Sequence, residues 1–256
     1  MTLEKFLEDE ANFKVIESLF FDRLSYDLKL SAVKAEIELA IFRPEVDIRG
    51  YDVIIDDADW QRPFQLKTVA KSSGTKSWKI NKRLLRPTHL FAEKLGFEHS
   101  PTGVGLGGGV ILTEFDIDKK GGKFRYFYTD IFIVLAFYEH LIIETNFPQS
   151  GKPKAQVAER IISDLHEGVG RDKLNLPKAM FVEIETPDQL LAIGGFHSVL
   201  KSYSWFTGFA IAYEQGLRID KEGIVNENVE HGIITKGRQA ADGFLNLVKD
   251  DLKSFS

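Results

Sequence analysis

The fold of this chain is decided by two short runs in its first third, Tyr51-Asp52-Val53-Ile54-Ile55 and Phe64-Gln65-Leu66-Lys67-Thr68-Val69. Both runs are rich in β-branched and aromatic residues and alternate polar with apolar side chains, which is typical of β-strands. The segment 56–63 between them is acidic and contains a proline, as turns often do. The sequence therefore predicts a β-hairpin here.

The hairpin is expected to separate a polar face from an apolar one. If the turn closes symmetrically, Ile55 faces Phe64 and Asp52 faces Lys67. Because side chains alternate along a strand, Asp52, Gln65 and Lys67 would then share one face. The other face would hold Val53, Ile55, Phe64 and Leu66. A shift of the pairing by one residue would exchange the two faces, and Ile54 already falls on the polar one.

Helical and β signals alternate along the rest of the chain. Apolar spacing predicts helices over 2–22, from Ser31 to Phe42, near 88–95 and over 154–166. Further β signals lie at 110–113, 124–137 and 179–184. This alternation favours a mixed α/β fold, with the last hundred residues as a C-terminal α/β extension. The linker candidate 151–153 suggests a core domain over 1–145 and a second region over 146–256.

The composition is that of a globular protein, with 43% hydrophobic and 28% charged residues. There is no cysteine, which excludes zinc ribbons, thiol nucleophiles and disulfide scaffolds. The first ten residues are acidic where a signal peptide would be basic and apolar, and no apolar run approaches the roughly 20 residues that span a bilayer. We expect a soluble, cytoplasmic protein that does not enter the membrane.

Charge is distributed unevenly. The formal net charge is −5, yet the segment from Lys67 to Lys94 carries eight basic residues and one acid, Glu93. A basic segment on an acidic body is the pattern expected where one face meets a polyanion. A solvated lysine-rich loop is the simpler interpretation of the same pattern.

Asp52, Gln65 and Lys67 together suggest a particular chemistry. A carboxylate, a side-chain carbonyl and the backbone carbonyl between them make a set of hard oxygen donors that suits Mg²⁺, which keeps several waters and accepts phosphate oxygens. A lysine beside such an ion can orient or deprotonate a water and offset charge on a phosphorane-like transition state. This set of residue types points to phosphodiester hydrolysis.

A glutamate on a helix, then Gly50-Tyr51-Asp52, then Gln65-Leu66-Lys67, resembles the PD-(D/E)XK nuclease superfamily in its Mrr-like variant, where glutamine replaces the second acid. The resemblance implies a four-stranded mixed sheet flanked by helices, a restriction-endonuclease-like core, and DNA cleavage with Mg²⁺ or Mn²⁺. Asp52 and Gln65 would hold the metal, and Lys67 would serve the attacking water. The upstream glutamate would be Glu38, with Glu36 as the alternative.

The basic segment that follows would contact duplex DNA. The residues expected there are Lys71, Lys76, Trp78, Lys79, Lys82, Arg83 and Arg86. A restriction or defence endonuclease fits this interpretation, and a homodimer is compatible with it. The alternatives are a catalytically inactive nucleic-acid-binding or interaction module on the same fold, and an unrelated α/β protein whose basic segment contacts another protein.

Three weaker signals are set aside. The sequence from Gly103 to Gly108 matches G-x-G-x-x-G, but a β signal follows it where the dinucleotide fingerprint requires a helix. Glu183 and Glu185 could form a glycosidase pair, yet such spacing is common. Asp47 is expected at a turn or strand edge rather than at the metal.

Overall fold

A computed structural model describes residues 6, 10–45, 50–98, 104–118, 121–139, 153–167, 173–196, 209–210 and 213–214. Asp47 lies outside these described residues, as does the proposed linker except for Pro153.

The described part of the chain forms a mixed six-stranded sheet. Its strands, numbered in chain order, are β1 (Ala40–Phe42), β2 (Val53–Asp56), β3 (Gln61–Ala70), β5 (Gly109–Asp118), β6 (Gly121–Asp130) and β8 (Val182–Ile184). They lie side by side in this order. All neighbours are antiparallel except β3 and β5, which are parallel. The predicted α/β class with a mixed central sheet is therefore confirmed.

The remaining two strands, β4 (Ser77–Asn81) and β7 (Lys173–Pro177), pair with each other as a separate antiparallel ribbon. The helices are α1 (Phe13–Lys34), α2 (Lys82–Leu85), α3 (His89–Ala92), α4 (Ile131–Tyr138), α5 (Lys154–His166) and α6 (Pro187–Ile193). Because β3 and β5 are parallel, the chain must cross over between them, and this crossover contains β4, α2 and α3.

One continuous cluster of buried apolar residues joins the sheet to its helices. It includes Leu28 of α1, Phe64 of β3, Ile133 of α4, Leu165 of α5 and Leu191 of α6. Since α5, β7, β8 and α6 all contribute to the cluster or to the sheets, the predicted boundary after residue 145 does not coincide with a break in the core.

The helix predicted from Ser31 to Phe42 is wrong. The long helix α1 begins at Phe13 and ends at Lys34, and residues Ala40–Phe42 form the edge strand β1. Glu36 has a φ of +56°, a conformation that no helix can continue. Beyond it, the apolar residues pair with β2 as a strand, because the tertiary contact outweighs the local helical spacing.

The strand predicted over 124–137 is half correct. Strand β6 ends at Asp130, and the apolar run that follows is helix α4. The Asp130 side chain accepts a hydrogen bond at 3.0 Å from the Ile133 N–H and so caps this helix. A run that is buried on all sides has no periodicity, which is why only the cap could have indicated a helix.

Other predicted elements agree with the structure. The segment 110–113 lies within β5, and the helix predicted over 154–166 is α5. The strand predicted over 179–184 is shorter, since a turn of 3₁₀ helix at Lys178–Met180 precedes β8. Within the described residues, no helix combines the length and apolar character that crossing a membrane requires.

Candidate functional site

The hairpin forms with a pairing that differs from the symmetric one. Val53 faces Phe64 and Ile55 faces Arg62, a shift of two residues from the predicted pairing of Ile55 with Phe64. Strand β3 begins earlier than predicted, at Gln61, which shortens the turn. Because the shift is even, Val53, Ile55 and Phe64 remain together on the buried face, and Gln65 and Lys67 remain on the other.

Asp52 lies against the first half of β3. Its backbone N–H donates to the Phe64 carbonyl at 2.8 Å, and its carboxylate Oδ2 accepts a hydrogen bond from the Leu66 N–H at 2.6 Å. Leu66 is the residue between Gln65 and Lys67, so the carboxylate is anchored where the two predicted partners leave the strand. Asp52, Gln65 and Lys67 are half-buried; we call these three residues the candidate site.

Asn81 is a further residue at this position that the sequence analysis did not single out. Its backbone N–H points to Gln65 Oε1 at 3.4 Å, while its side chain accepts from the Arg83 N–H at 2.9 Å and caps α2. Gly50 fits tightly against it: a Cβ at Gly50 would collide with the Asn81 side chain. An asparagine between a β signal and a helix is a recognisable N-cap, and this was the signal that could have found it.

Glu38 does not join the candidate site. It is exposed and lies in the link between α1 and β1, not on a helix. Ala40 pairs with Asp56, whereas Asp52 precedes the opposite end of β2, so Glu38 and Asp52 lie at opposite ends of that strand. Glu36, the alternative, is exposed in the same link. The predicted helical glutamate is therefore wrong for both residues.

The donor atoms at the candidate site suit a magnesium ion, but they are few. A carboxylate and an amide carbonyl are hard oxygen ligands of the kind that Mg²⁺ accepts alongside retained waters. Among the described residues, no group of three or more histidine, cysteine, aspartate or glutamate side chains is placed to hold a metal. Asp52 and Gln65 fit an ion that takes most of its ligands from water and substrate.

The face of the sheet that carries Lys67 also carries an ion-pair network. Glu114, which neighbours Val69 across β3 and β5, binds Lys178 Nζ at 2.6 Å and Arg125 at 3.0 Å. Arg125 also makes two 2.6 Å hydrogen bonds to the Glu183 carboxylate, and these raise its pKa. Glu114 and Glu183 are thus held in ion pairs.

A fully buried polar cluster fixes the start of β3. Arg62 and Asp130 are 2% and 0% exposed and lie 3.3 Å apart, and Tyr128 donates to Asp130 at 2.8 Å. Arg62 also donates to the carbonyls of Gly107 at 2.9 Å and Gly194 at 2.6 Å. Burial raises the pKa of the Tyr128 hydroxyl well above its ordinary value, which keeps it protonated as a donor.

The glycine-rich segment packs tightly rather than cradling a ligand. Backbone N–H groups of residues 105–108 donate at 2.8 Å to carbonyls of Arg83, Leu84, Arg86 and Pro87. A Cβ at Gly108 would collide with the Pro63 carbonyl, so this position requires glycine. Strand β5, not a helix, follows, in agreement with setting aside the dinucleotide fingerprint.

The basic segment is only partly on the surface. Lys82 is buried and donates to the Asp164 carbonyl at 2.7 Å. Arg86 is also buried, and desolvation lowers the pKa of its guanidinium. Trp78 is half-buried and packs edge-on against Phe181, with ring centroids 5.6 Å apart. Lys82 and Arg86 are therefore not placed to contact nucleic acid, which corrects their prediction, while the contact predicted for Trp78 stays a prediction.

The exposed cations of the segment are Lys71, Lys76, Lys79 and Arg83. Lys71 forms an ion pair with Asp116 at 2.6 Å. Lys79 lies on the outer face of the β4–β7 ribbon, opposite Asn175, and Lys173 of β7 adds an exposed cation opposite Asn81. The ribbon therefore carries exposed lysines close to Asn81, the residue whose backbone N–H contacts Gln65 of the candidate site.

Comparison of the chain with protein-family models, with curated proteins and with solved structures gave no match.

Proposed function

We propose that this chain is a metal-dependent nuclease that hydrolyses phosphodiester bonds of DNA, as a restriction or defence endonuclease would. The observation that carries the proposal is the 2.6 Å hydrogen bond from the Leu66 N–H to Asp52 Oδ2. This bond holds the carboxylate that precedes β2 against β3 at Leu66. The neighbours of Leu66, Gln65 and Lys67, project from the same face of β3.

Each of the three residues has a defined role in this reaction. Asp52 and Gln65 would hold Mg²⁺ or Mn²⁺, which lowers the pKa of a bound water and stabilises charge on the phosphate. Lys67 places an ammonium beside the phosphate, where it orients the attacking water and offsets negative charge that builds in the transition state. Asn81 positions Gln65 through its backbone N–H.

The topology supports the proposal. The strands β1, β2, β3 and β5 form a contiguous mixed set of four, antiparallel up to β3 and parallel between β3 and β5. This agrees with the four-stranded mixed sheet that the resemblance implies for a restriction-endonuclease-like core. Helices packed on the sheet complete the same description.

The position of the surface charge supports DNA as the substrate. Lys79, Arg83 and Lys173 lie on or directly after the β4–β7 ribbon, whose last residue in β4 contacts Gln65. Cations arranged along a path to the scissile phosphate provide affinity for a polyanion and set its register.

A catalytically inactive nucleic-acid-binding module is the second candidate function. It is favoured by one observation: the described residues contain no group of three acidic or histidine side chains that could hold an ion. With Glu38 at the far end of β2, the candidate site has one carboxylate and one amide from the predicted set.

The decisive experiment measures cleavage of supercoiled plasmid and of duplex oligonucleotides with Mg²⁺, with Mn²⁺ and with chelator. Asp52→Asn is compared with Asp56→Asn, a matched control at the other end of β2 whose carboxylate accepts from the Ala58 N–H at 2.8 Å. We expect metal-dependent cleavage in wild type and in the control, and none in Asp52→Asn.

The two candidate functions give different results in this experiment. DNA binding without cleavage under any metal condition would favour the inactive module. If Asp52→Asn cleaved DNA as fast as wild type, the hydrolysis would take place elsewhere on the protein.

A further inference from the structure

Helix α1 (Phe13–Lys34) carries an exposed apolar stripe, which is its most unusual surface feature. The stripe consists of Val15, Leu19, Tyr26, Leu30 and Val33, each at least 41% exposed, with Tyr26 at 62% and Val33 at 73%. Its members follow one another at intervals of four, seven, four and three residues. At 100° per residue these positions fall within about 60° of the helix circumference, so they form a single line.

Within the part of the chain that the structure describes, the stripe does not belong to the core. The opposite face of α1 is the one that packs on the sheet, through Ile16, Phe20, Leu24 and Leu28, all at most 7% exposed. Phe20 stacks on Phe115 of β5 with ring centroids 4.8 Å apart. A helix that is apolar on both faces is typical of one that is covered on both faces.

The charges beside the stripe indicate what covers it. Asp22 and Lys29 both border the same side of the line, seven residues apart, and both are exposed. On the other side, Arg23 is held by Asp27 at 2.9 Å, and Asp27 also accepts from the Tyr126 hydroxyl at 2.7 Å. Asp22 and Lys29, which border the stripe on the side away from these contacts, thus carry opposite charges.

We propose that α1 pairs with α1 of a second copy of this chain, in antiparallel orientation, through the stripe. A two-fold axis near residues 24–25 places Leu19 against Leu30 of the other copy and Val15 against its Val33. The same axis brings Asp22 of each copy beside Lys29 of the other, twice. An interface that is its own complement under two-fold rotation is the basis of a closed dimer.

A parallel pairing is disfavoured by the same charges. In a parallel pair, each residue beside the stripe meets the residue about five positions further along its partner. Lys29 would then approach Lys34 of the second copy, and Asp22 would approach Asp27. Like charges placed opposite each other destabilise a helix pair, so orientation follows from the sequence of α1.

The first experiment measures the mass of the full chain in solution by sedimentation over a range of concentrations, without DNA or metal. We expect a species of twice the 29.0 kDa chain mass. Leu30→Glu should raise the dimer dissociation constant at least tenfold, because it buries a charge in the stripe. Leu90→Glu is the matched control, since Leu90 is 56% exposed on α3, away from the stripe, and should change nothing.

A charge exchange tests the orientation. Asp22→Lys and Lys29→Asp should each weaken the dimer, while the double variant should restore wild-type affinity, since it re-forms both pairs with their signs reversed. Failure of the double variant to recover the affinity of wild type would contradict the antiparallel arrangement.

Single cysteines give an independent measure, because the natural chain has none. Tyr26→Cys lies near the axis, so its two copies should be separated by only about 5 Å along the helices and join through a short thiol cross-linker. Val33→Cys should not join to itself, since its copies would be about 26 Å apart along the helices. A parallel dimer would cross-link at both positions.

The proposal does not depend on the nuclease assignment, since none of its measurements involves DNA. A chain that stays monomeric up to its highest soluble concentration would overturn it. So would a dimer that Leu30→Glu leaves intact, because its interface would lie elsewhere.

Discussion

At the scale of single residues, Lys67 has the most specific role to test. Its side chain leaves β3 one residue after the N–H that anchors Asp52, so Lys67→Ala removes an ammonium from the candidate site without removing a metal ligand. We expect cleavage to fall by about 10²- to 10⁴-fold in single-turnover kinetics. Manganese binding measured by calorimetry should be nearly unchanged.

The control for this substitution is Lys123→Ala, an exposed lysine on β6. It removes the same charge from the molecule without touching the candidate site, so cleavage should stay at the wild-type level. Equal rates for the two variants would remove Lys67 from the mechanism.

Gly50 provides a residue-scale test of how Asp52 is positioned. Its φ is +72°, and any Cβ there would meet the Asn81 side chain. Gly50→Ala should therefore lower the free energy of unfolding by about 1–3 kcal/mol, from backbone strain and steric overlap together. Gly74→Ala is the matched control, because nothing lies within 4 Å of the added methyl group. Denaturant unfolding of both variants measures the difference, and equal midpoints would contradict the tight fit.

At the scale of elements, the β4–β7 ribbon and the residues directly after β4 carry exposed cations that we expect to bind DNA. Lys79→Glu with Arg83→Glu should weaken binding to duplex DNA, because both side chains are exposed beside the candidate site. Binding should also weaken as salt increases. The logarithm of the association constant should fall with the logarithm of the salt concentration, with a slope of about −0.9 for each phosphate that the protein neutralises. Lys123→Glu serves as the control for a single charge reversal elsewhere. Fluorescence anisotropy with labelled duplex measures the DNA affinity of wild type, of the double variant and of the control. A binding isotherm of the double variant that matches wild type would mean that the ribbon does not bind DNA.

The buried ion pair between Arg62 and Asp130 links three elements, since it joins β3 to β6 and to the glycine-rich segment. Arg62→Met would leave Asp130 charged and buried, and we expect a decrease of about 3–5 kcal/mol in unfolding free energy. Asp130→Asn in the same chain should recover part of this decrease, because it removes the uncompensated charge. A double variant less stable than Arg62→Met would mean that the carboxylate acts mainly as the cap of α4.

At the scale of the whole molecule, features set by local residue patterns could be predicted from the sequence, whereas features set by long-range contacts could not. Alternation along β2 and β3 predicted their two faces correctly, because an even shift in pairing preserves them. Apolar spacing misassigned residues 35–42, since the helix ends at a positive φ and the pairing of β1 with β2 is a long-range contact. Lys82 and Arg86 looked like surface cations because nothing local indicates that Lys82 reaches a carbonyl on α5, 82 residues further along the chain.

The same long-range contacts determine whether the chain can be divided after residue 145. A fragment 1–145 would lack β8 at the edge of the main sheet and β7 in the ribbon. It would also lack the Asp164 carbonyl that satisfies Lys82 and the Gly194 carbonyl that satisfies Arg62. Unsatisfied buried charges and an exposed core outweigh a stability of about 5–15 kcal/mol. We therefore expect the fragment alone to show no cooperative thermal transition by circular dichroism. Co-expression with 146–256 should restore one, since the missing strands and carbonyls return. A fragment 1–145 that melts cooperatively by itself would mean that the core is complete without β7 and β8.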